Sequence, residues 1–300
     1  MYDTSDPRAS LAPTGRAGPV ANEFAGAELA RFYEEAAQES GPEGQTWYVR
    51  GQNFLVAYTR ATPGAVLSRR GQPDEYVVLL PKTETPVEVA SAGESKTVPG
   101  FSVIMVPPGD SAVTVPSGGE VVRLFTTRSA DLAAKCSNAA SYASPHPNIP
   151  PFQPWPEPPS GYRIRAYSLD VPDQPGRFGR IFRCTTFMVN FLARQTGPRD
   201  VTKLSPHHHD DFEQCSLAVE GTYVHHLRWP WTVNMNAWRE DEHALCGSPS
   251  VTVIPPPAIH TSQAMDKGAN QLVDIFCPPR IDFSEKPGWV LNADDYPMPR

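Results

Sequence analysis

No apolar run in the sequence approaches the ~20 residues that a membrane-spanning helix needs, and the first residues lack the basic-then-apolar layout of a secretory leader. The expectation is a soluble, cytoplasmic protein. A basic stripe is missing too. The formal charge is −7, so attraction to phosphate backbones or anionic lipid is weak, and nucleic-acid and membrane partners are set aside. Paired cysteines are absent. Cys136, Cys184, Cys215, Cys246 and Cys277 are odd in number and scattered, with no Cys-x-x-Cys, so neither a disulfide framework nor a thiolate zinc site is signalled. They read as small buried apolar residues.

What is abundant is proline, 34 against 21 glycines, in short bursts between apolar runs. That pattern favours many short strands joined by turns over long helices. A length of 300 residues points to two domains. Residues 1–21 are small and polar and read as a flexible arm. Asn22 to Gln38 places Phe24, Leu29, Phe32 and Tyr33 near helical spacing, which predicts one short N-terminal helix. Up to residue 128, β-rich segments (TWYVR, NFLVAYTR, EYVVLLP, VEVA, FSVIMVPP, AVTV, VVRLFTT) alternate with Gly, Pro and Asp punctuation, a spacing that suits a sandwich or barrel. Residues 129–161 are proline-dense and read as a semi-rigid linker. Strand-like segments resume over 162–280, and 281–300 read as an irregular tail.

The halves echo each other. FSVIMVPPGDSAVTV (101–115) matches SVTVIPPPAIHTSQA (250–264) in an apolar strand running into Pro-Pro, and VVRLFTT (121–127) matches QLVDIFC (271–277). A tandem repeat of one β unit is the economical reading.

Chemistry concentrates at Pro206-His207-His208-His209-Asp210-Asp211-Phe212-Glu213-Gln214 and the strand that follows, ending in Glu220-Gly221. In an extended chain, side chains two apart share a face, so His207 and His209 reach one ion together while His208 points away. His260 follows beside a proline corner. Three imidazoles and one oxygen donor suit a single divalent transition metal, Fe, Mn, Ni, Zn or Cu.

The segment resembles the cupin motif, His-x-His, three or four residues, Glu or Gln, six residues, Gly: His207-x-His209, four residues, Gln214, six residues, Gly221. Pro255-Pro256-Pro257-Ala258-Ile259-His260 resembles the second motif, Pro-x-Gly-x-x-His, with Pro257 in place of Gly and Ala264 where Asn is usual. The match spans about residues 186–278. The resemblance implies an all-β fold of two tandem cupin barrels (double-stranded β-helix or jelly-roll), covering 22–128 and 162–280, with the metal in the second. Overlaying the halves puts Glu75 at Gln214, Arg70 at His209, Ser68 at His207 and Ala112 at His260. The first barrel then lacks metal ligands, and Arg70 and Glu75 either form an ion pair across it or are solvated.

Glu213 and Gln214 face opposite sides of their strand, so one of them enters the barrel. Motif spacing selects Gln214; hydrophobic parity, which groups Cys215, Leu217 and Val219 with Glu213, selects Glu213. On the next strand, alternation sets Tyr223 and His225 against His226 and Arg228. Tyr223 and His225, with Arg228 from the other face, are the candidate catalytic groups, as proton donors or a cationic anchor; surface or structural roles are the alternative. Trp229, Trp231 and Trp238 form an aromatic insertion, read as a lid or as packing. Cupins of this kind act on small organic molecules. The implied activity is a metal-dependent enzyme, a dioxygenase before an isomerase or lyase, with a non-catalytic binding or structural cupin as the alternative. A homodimer would cover the apolar outer strand faces.

Overall fold

In the computed structural model, which describes residues 6–11 and 22–299, each of the β-branched and aromatic runs becomes a strand, and all the strand pairings are antiparallel. Many of these strands are buried at every position: Tyr76–Leu80, Ser102–Val106 and Ser250–Ile254 expose nothing. Such runs need cover on both faces, and the sheet layout supplies it.

The first sandwich sets a seven-stranded sheet, in the order Arg165–Ser168, Ser102–Val106, Tyr76–Leu80, Gly119–Thr126, Phe54–Ala61, Gly44–Arg50 and Glu39–Gly41, against a four-stranded sheet of Ala65–Gln72, Gly109–Val115, Val87–Ser91 and Glu94–Val98. Its core holds Leu55, Val78, Ile104 and Val121 against Leu67, Val89 and Val113. The second sandwich repeats this arrangement. Its large sheet runs Glu28–Arg31, Ser250–Ile254, Gln214–Glu220, Ala269–Phe276, Met188–Phe191 and Arg180–Arg183, with Gln195–Thr196 added to Ala269–Phe276. Its small sheet is Glu242–Cys246, Tyr223–Arg228 and Ile259–Ala264. The two large sheets lie back to back: Val77, Leu79, Val122 and Leu124 of one share a core with Cys215, Leu217, Val273 and Ile275 of the other. The apolar faces for which the sequence suggested a second copy therefore cover each other within one chain.

The expected helix over 22–38 is a strand and turns. Glu28–Arg31 pairs with Ser250–Ile254, because that strand otherwise leaves a sheet edge with unpaired backbone groups. Phe24 and Phe32, two of the residues behind the helical reading, are buried in two different clusters. The exchange is mutual. Arg165–Ser168, which precedes the second sandwich in the chain, pairs with Ser102–Val106 of the first.

The described parts of both terminal segments are better packed than their composition suggests. Of the expected arm, residues 6–11 form a short turn in which Arg8 is buried; the rest of 1–21 lies outside the described residues. The expected irregular tail contains a helical turn, Ile281–Ser284, and buries Phe283, Trp289 and Tyr296, whose aromatic area outweighs the cost of ordering the segment. Among the described residues, no helix is long and apolar enough to cross a membrane.

Candidate metal centre

Two segments far apart in the chain are clamped together at the mouth of the second sandwich. The His207 and His260 backbones exchange both hydrogen bonds, at 3.1 and 2.7 Å, as an isolated antiparallel bridge. Their imidazole centroids stand 4.3 Å apart, and His209 lies 5.1 Å from His207 and 5.3 Å from His260. The three histidines each offer a ring nitrogen, all within 4.8 Å of one another. His209 is fixed by stacking on Phe212 at 4.4 Å. His208, as alternation requires, points to solvent near Asp210.

Of the two adjacent candidates, Gln214 turns inward. Its Oε1 is 3.0 Å from His209 Nε2 and 3.2 Å from His260 Nε2. Its Nε2 donates to Asp274 Oδ1 at 3.1 Å and to Ser216 Oγ at 3.1 Å, which fixes the carbonyl end toward the imidazoles. Glu213 faces the other way, into the contact between the sandwiches, where it accepts from the Gln52 amide at 2.6 Å and the Tyr142 hydroxyl at 2.8 Å. The hydrophobic parity of Cys215, Leu217 and Val219 is real, but it belongs to the inter-sandwich core. Gly221 closes the strand at φ +85°, where a Cβ would lie 2.5 Å from Asn270 Oδ1.

The protonation pattern makes the centre short of hydrogens. Burial drives His207 and His209 well below the usual histidine range and His260 down to about 4, so all three are neutral at pH 7. His260 Nδ1 lies 2.9 Å from the Ala258 carbonyl and His207 Nδ1 2.9 Å from that of Ser205. A carbonyl accepts only, so each Nδ1 carries the proton and each Nε2 does not. At His260 that Nε2 faces the carbonyl oxygen of Gln214, acceptor against acceptor. A divalent cation satisfies such a group, and three imidazoles with an amide oxygen are the right donors for it.

No protein-family model matches the sequence, and no curated protein matches it. Solved structures do. AerE from Microcystis aeruginosa superposes with a TM-score of 0.54 at 9% identity, covering 86% of this chain and 100% of AerE. A point mutant of the Bacillus subtilis oxalate decarboxylase OxdC gives 0.55 at 14% identity over 86% of this chain and 80% of that one. The Lactobacillus farciminis oxalate decarboxylase formate complex gives 0.54 at 12% over 88% and 90%. These neighbours are bicupins. This chain has the bicupin fold. Another structure of the Bacillus enzyme, at a TM-score of 0.51 with 11% identity over 86% of this chain and 80% of that one, concerns its Mn(II) centers.

Beside the histidines the chain has a cavity of about 350 Å³, reached by His207, Gln214, His260, Tyr223 and Asp274, with Arg8, Arg177, Arg199 and Lys203 among its other lining residues. Tyr223 is thus at the cavity wall. His225 stands behind it, its Nδ1 2.8 Å from Ser262 Oγ and its Nε2 without a partner among the described residues; burial lowers its pKa to about 3. Arg228 does not join them. It lies on the outer face of the strand, bound to Asp241 in solvent, as period-two alternation from His225 dictates, and it leaves the candidate set. Nor does the Trp insertion cover the cavity: Trp229 is buried, donating to the Ala25 carbonyl, and Trp231 stacks on Trp238 at 4.6 Å in solvent.

The sequence reading missed Asp274. It lies directly across from Ser216 in the sheet, receives the Gln214 amide and the Ser216 hydroxyl, and has its pKa raised by burial. Its only sequence signal is a charge in the middle of the apolar run QLVDIFC.

The first barrel departs from the overlay drawn on sequence. Tyr76 pairs with Val106 at the end of its strand as Gln214 pairs with Ile254, so Tyr76, not Glu75, holds the place of Gln214. Glu75 instead faces the second barrel. No Arg70–Glu75 ion pair forms.

Proposed function

We propose that the second barrel binds one divalent transition metal through His207, His209, His260 and Gln214, and that the bicupin is an enzyme acting on a small organic molecule, first of all as a dioxygenase. The observation that carries this reading is the meeting of two acceptors, His260 Nε2 and Gln214 Oε1, 3.2 Å apart, at the wall of a cavity large enough for a small substrate. A bound cation would act as a Lewis acid and, if redox-active, as a site for O₂. With four neutral donors its charge stays undiminished by ligands. Gln214 would be held in place by Asp274 and Ser216, the Nδ1 protons by the Ser205 and Ala258 carbonyls. Arg199 and Lys203 at the wall favour a substrate bearing an oxyanion.

A lyase or isomerase acting without O₂ is the second reading. It is favoured by the buried Asp274 carboxylate next to the donor set and by the oxalate decarboxylases among the structural neighbours.

Elemental analysis of protein purified without chelators tests the common part: about one metal per chain is expected, lost in His260→Ala. Iron with O₂ uptake on oxygenated aromatic or diketone substrates supports the first reading. Turnover independent of O₂, on manganese, zinc or nickel, supports the second. A metal-free protein whose ligand binding is unchanged in His260→Ala overturns both.

A further inference from the structure

The first barrel contains a buried cation with no carboxylate in ion-pair contact among the described residues; Glu39, already bound by Lys135 and Tyr48, acts on it only from farther away. Arg123 is 6% exposed, on the inner face of its strand. Its Nε has no hydrogen-bond partner among the described residues, and its guanidinium carbon stands 5.7 Å from the centre of the Phe125 ring. A buried charge left unpaired is costly, and buried polar atoms without partners are few in folded proteins. Register gives the position a meaning. Arg123 stands opposite Val78, two residues beyond Tyr76, just as Asp274 stands opposite Ser216, two residues beyond Gln214. Where the second barrel sets a carboxylate beside its donor cluster, the first sets a guanidinium.

Arg123 also lines a cavity of about 600 Å³ with Tyr48, Leu67, Arg69, Leu132 and Lys135. The other cations there are already matched. Arg69 binds Asp131 at 2.7 and 3.1 Å and Gln72 at 2.9 Å; Lys135 binds Glu39 at 2.5 Å, and the second oxygen of Glu39 takes the Tyr48 hydroxyl at 2.5 Å. Among the described residues of this wall, Arg123 is the cation with donors to spare, in a planar fork that fits a carboxylate in bidentate fashion. Glu39 and Glu43, also at the wall, repel a second negative charge, while Leu67 and Leu132 offer apolar surface.

We propose that the first barrel binds a small organic monocarboxylate, its carboxylate on Arg123 and its neutral body along Leu67 and Leu132, at a site separate from the metal centre.

Isothermal titration of the full chain with benzoate and with butyrate, against chloride at equal ionic strength, tests this. One saturable equivalent is expected in the wild type and in His260→Ala, weakened at least ~10-fold in Arg123→Met and partly in Arg123→Lys, which keeps charge but not the fork. Because an unpaired buried cation destabilises the fold, ligand-free Arg123→Met should melt no lower than the wild type. In unmutated protein, benzoate should also protect Arg123 from an arginine-selective dicarbonyl, read by peptide mapping. Binding lost in His260→Ala but kept in Arg123→Met, equal binding of chloride, no saturable binding, or unchanged labelling of Arg123 would each overturn the proposal.

Discussion

Glu75 and Glu213 are counterparts that reach in opposite directions across the contact between the barrels. Glu75 accepts from the Thr185 amide at 3.0 Å, the Thr185 hydroxyl at 2.9 Å and the Tyr296 hydroxyl at 2.6 Å. Glu213 accepts from the Gln52 amide and the Tyr142 hydroxyl. Each carboxyl precedes the residue that heads the strand, Tyr76 or Gln214, and each takes a backbone amide and a tyrosine from beyond its own strand. Burial raises both above the ordinary carboxylate range, Glu213 to about 7.

This gives a pH dependence. The groups facing Glu75 are Tyr296, Tyr162, Arg165 and Cys184, and burial outweighs the hydrogen bonds and Arg165, which pull its pKa back. The folded protein keeps the Glu75 proton to a higher pH than the unfolded chain, so this contribution to stability is complete below 4.5 and is lost as pH rises through the folded value. Glu75→Gln cannot ionise. The Tm of the variant minus that of the wild type should therefore increase from pH 4 to pH 7. A constant difference would contradict it.

Asp274→Asn should weaken metal binding by ~10- to 100-fold, the usual effect of removing a group that orients a ligand. Competition against a chromophoric chelator measures it. Unchanged affinity would mean that Gln214 needs no support from Asp274.

Leu217 is fully buried in the core shared by the two large sheets. Leu217→Ala should cost about 2–5 kcal/mol, read as a lower urea midpoint. Because both barrels lean on this core, tryptophan fluorescence and far-UV dichroism should lose their signals together.

Asp6, Pro7 and Arg8 line the cavity of the second barrel. Ser205 donates to Asp6 at 3.1 Å, and the Arg8 guanidinium rests 4.1 Å from the centre of Phe178. Removing residues 1–11 should speed stripping of bound metal by EDTA several-fold with little change in Tm. Equal stripping rates would show that the segment does not control access.

The clustering of His207, His209 and Gln214 was legible because they lie close together in the chain and a spacing rule applies to them directly, while His260, from a distant segment, was reached through a second motif. The all-β class followed from strand-length apolar runs. Less accessible were features made only by folding. Asp274 and Arg123 are single charges in apolar strands, and nothing nearby tells what faces them. The pairing of Glu28–Arg31 with Ser250–Ile254 joins segments from opposite ends of the chain, so local composition suggested a helix instead. The overlay erred by one residue, because a carboxyl precedes the strand head in both halves and Glu75 was matched to Gln214 when its counterpart is Glu213. Arg228 failed on alternation alone, since a strand delivers only one of its faces to a cavity.

The mutual loan of edge strands means that cutting the chain in the proline-rich connector would not yield two independent modules. A fragment beginning near residue 162 would keep His207, His209, Gln214 and His260 yet leave the Ser250–Ile254 edge bare, while the complementary piece would leave Ser102–Val106 uncovered and carry Glu28–Arg31 with nothing to pair. Each piece would be a hand extended to the other, adhesive alone and soluble when the two are produced together.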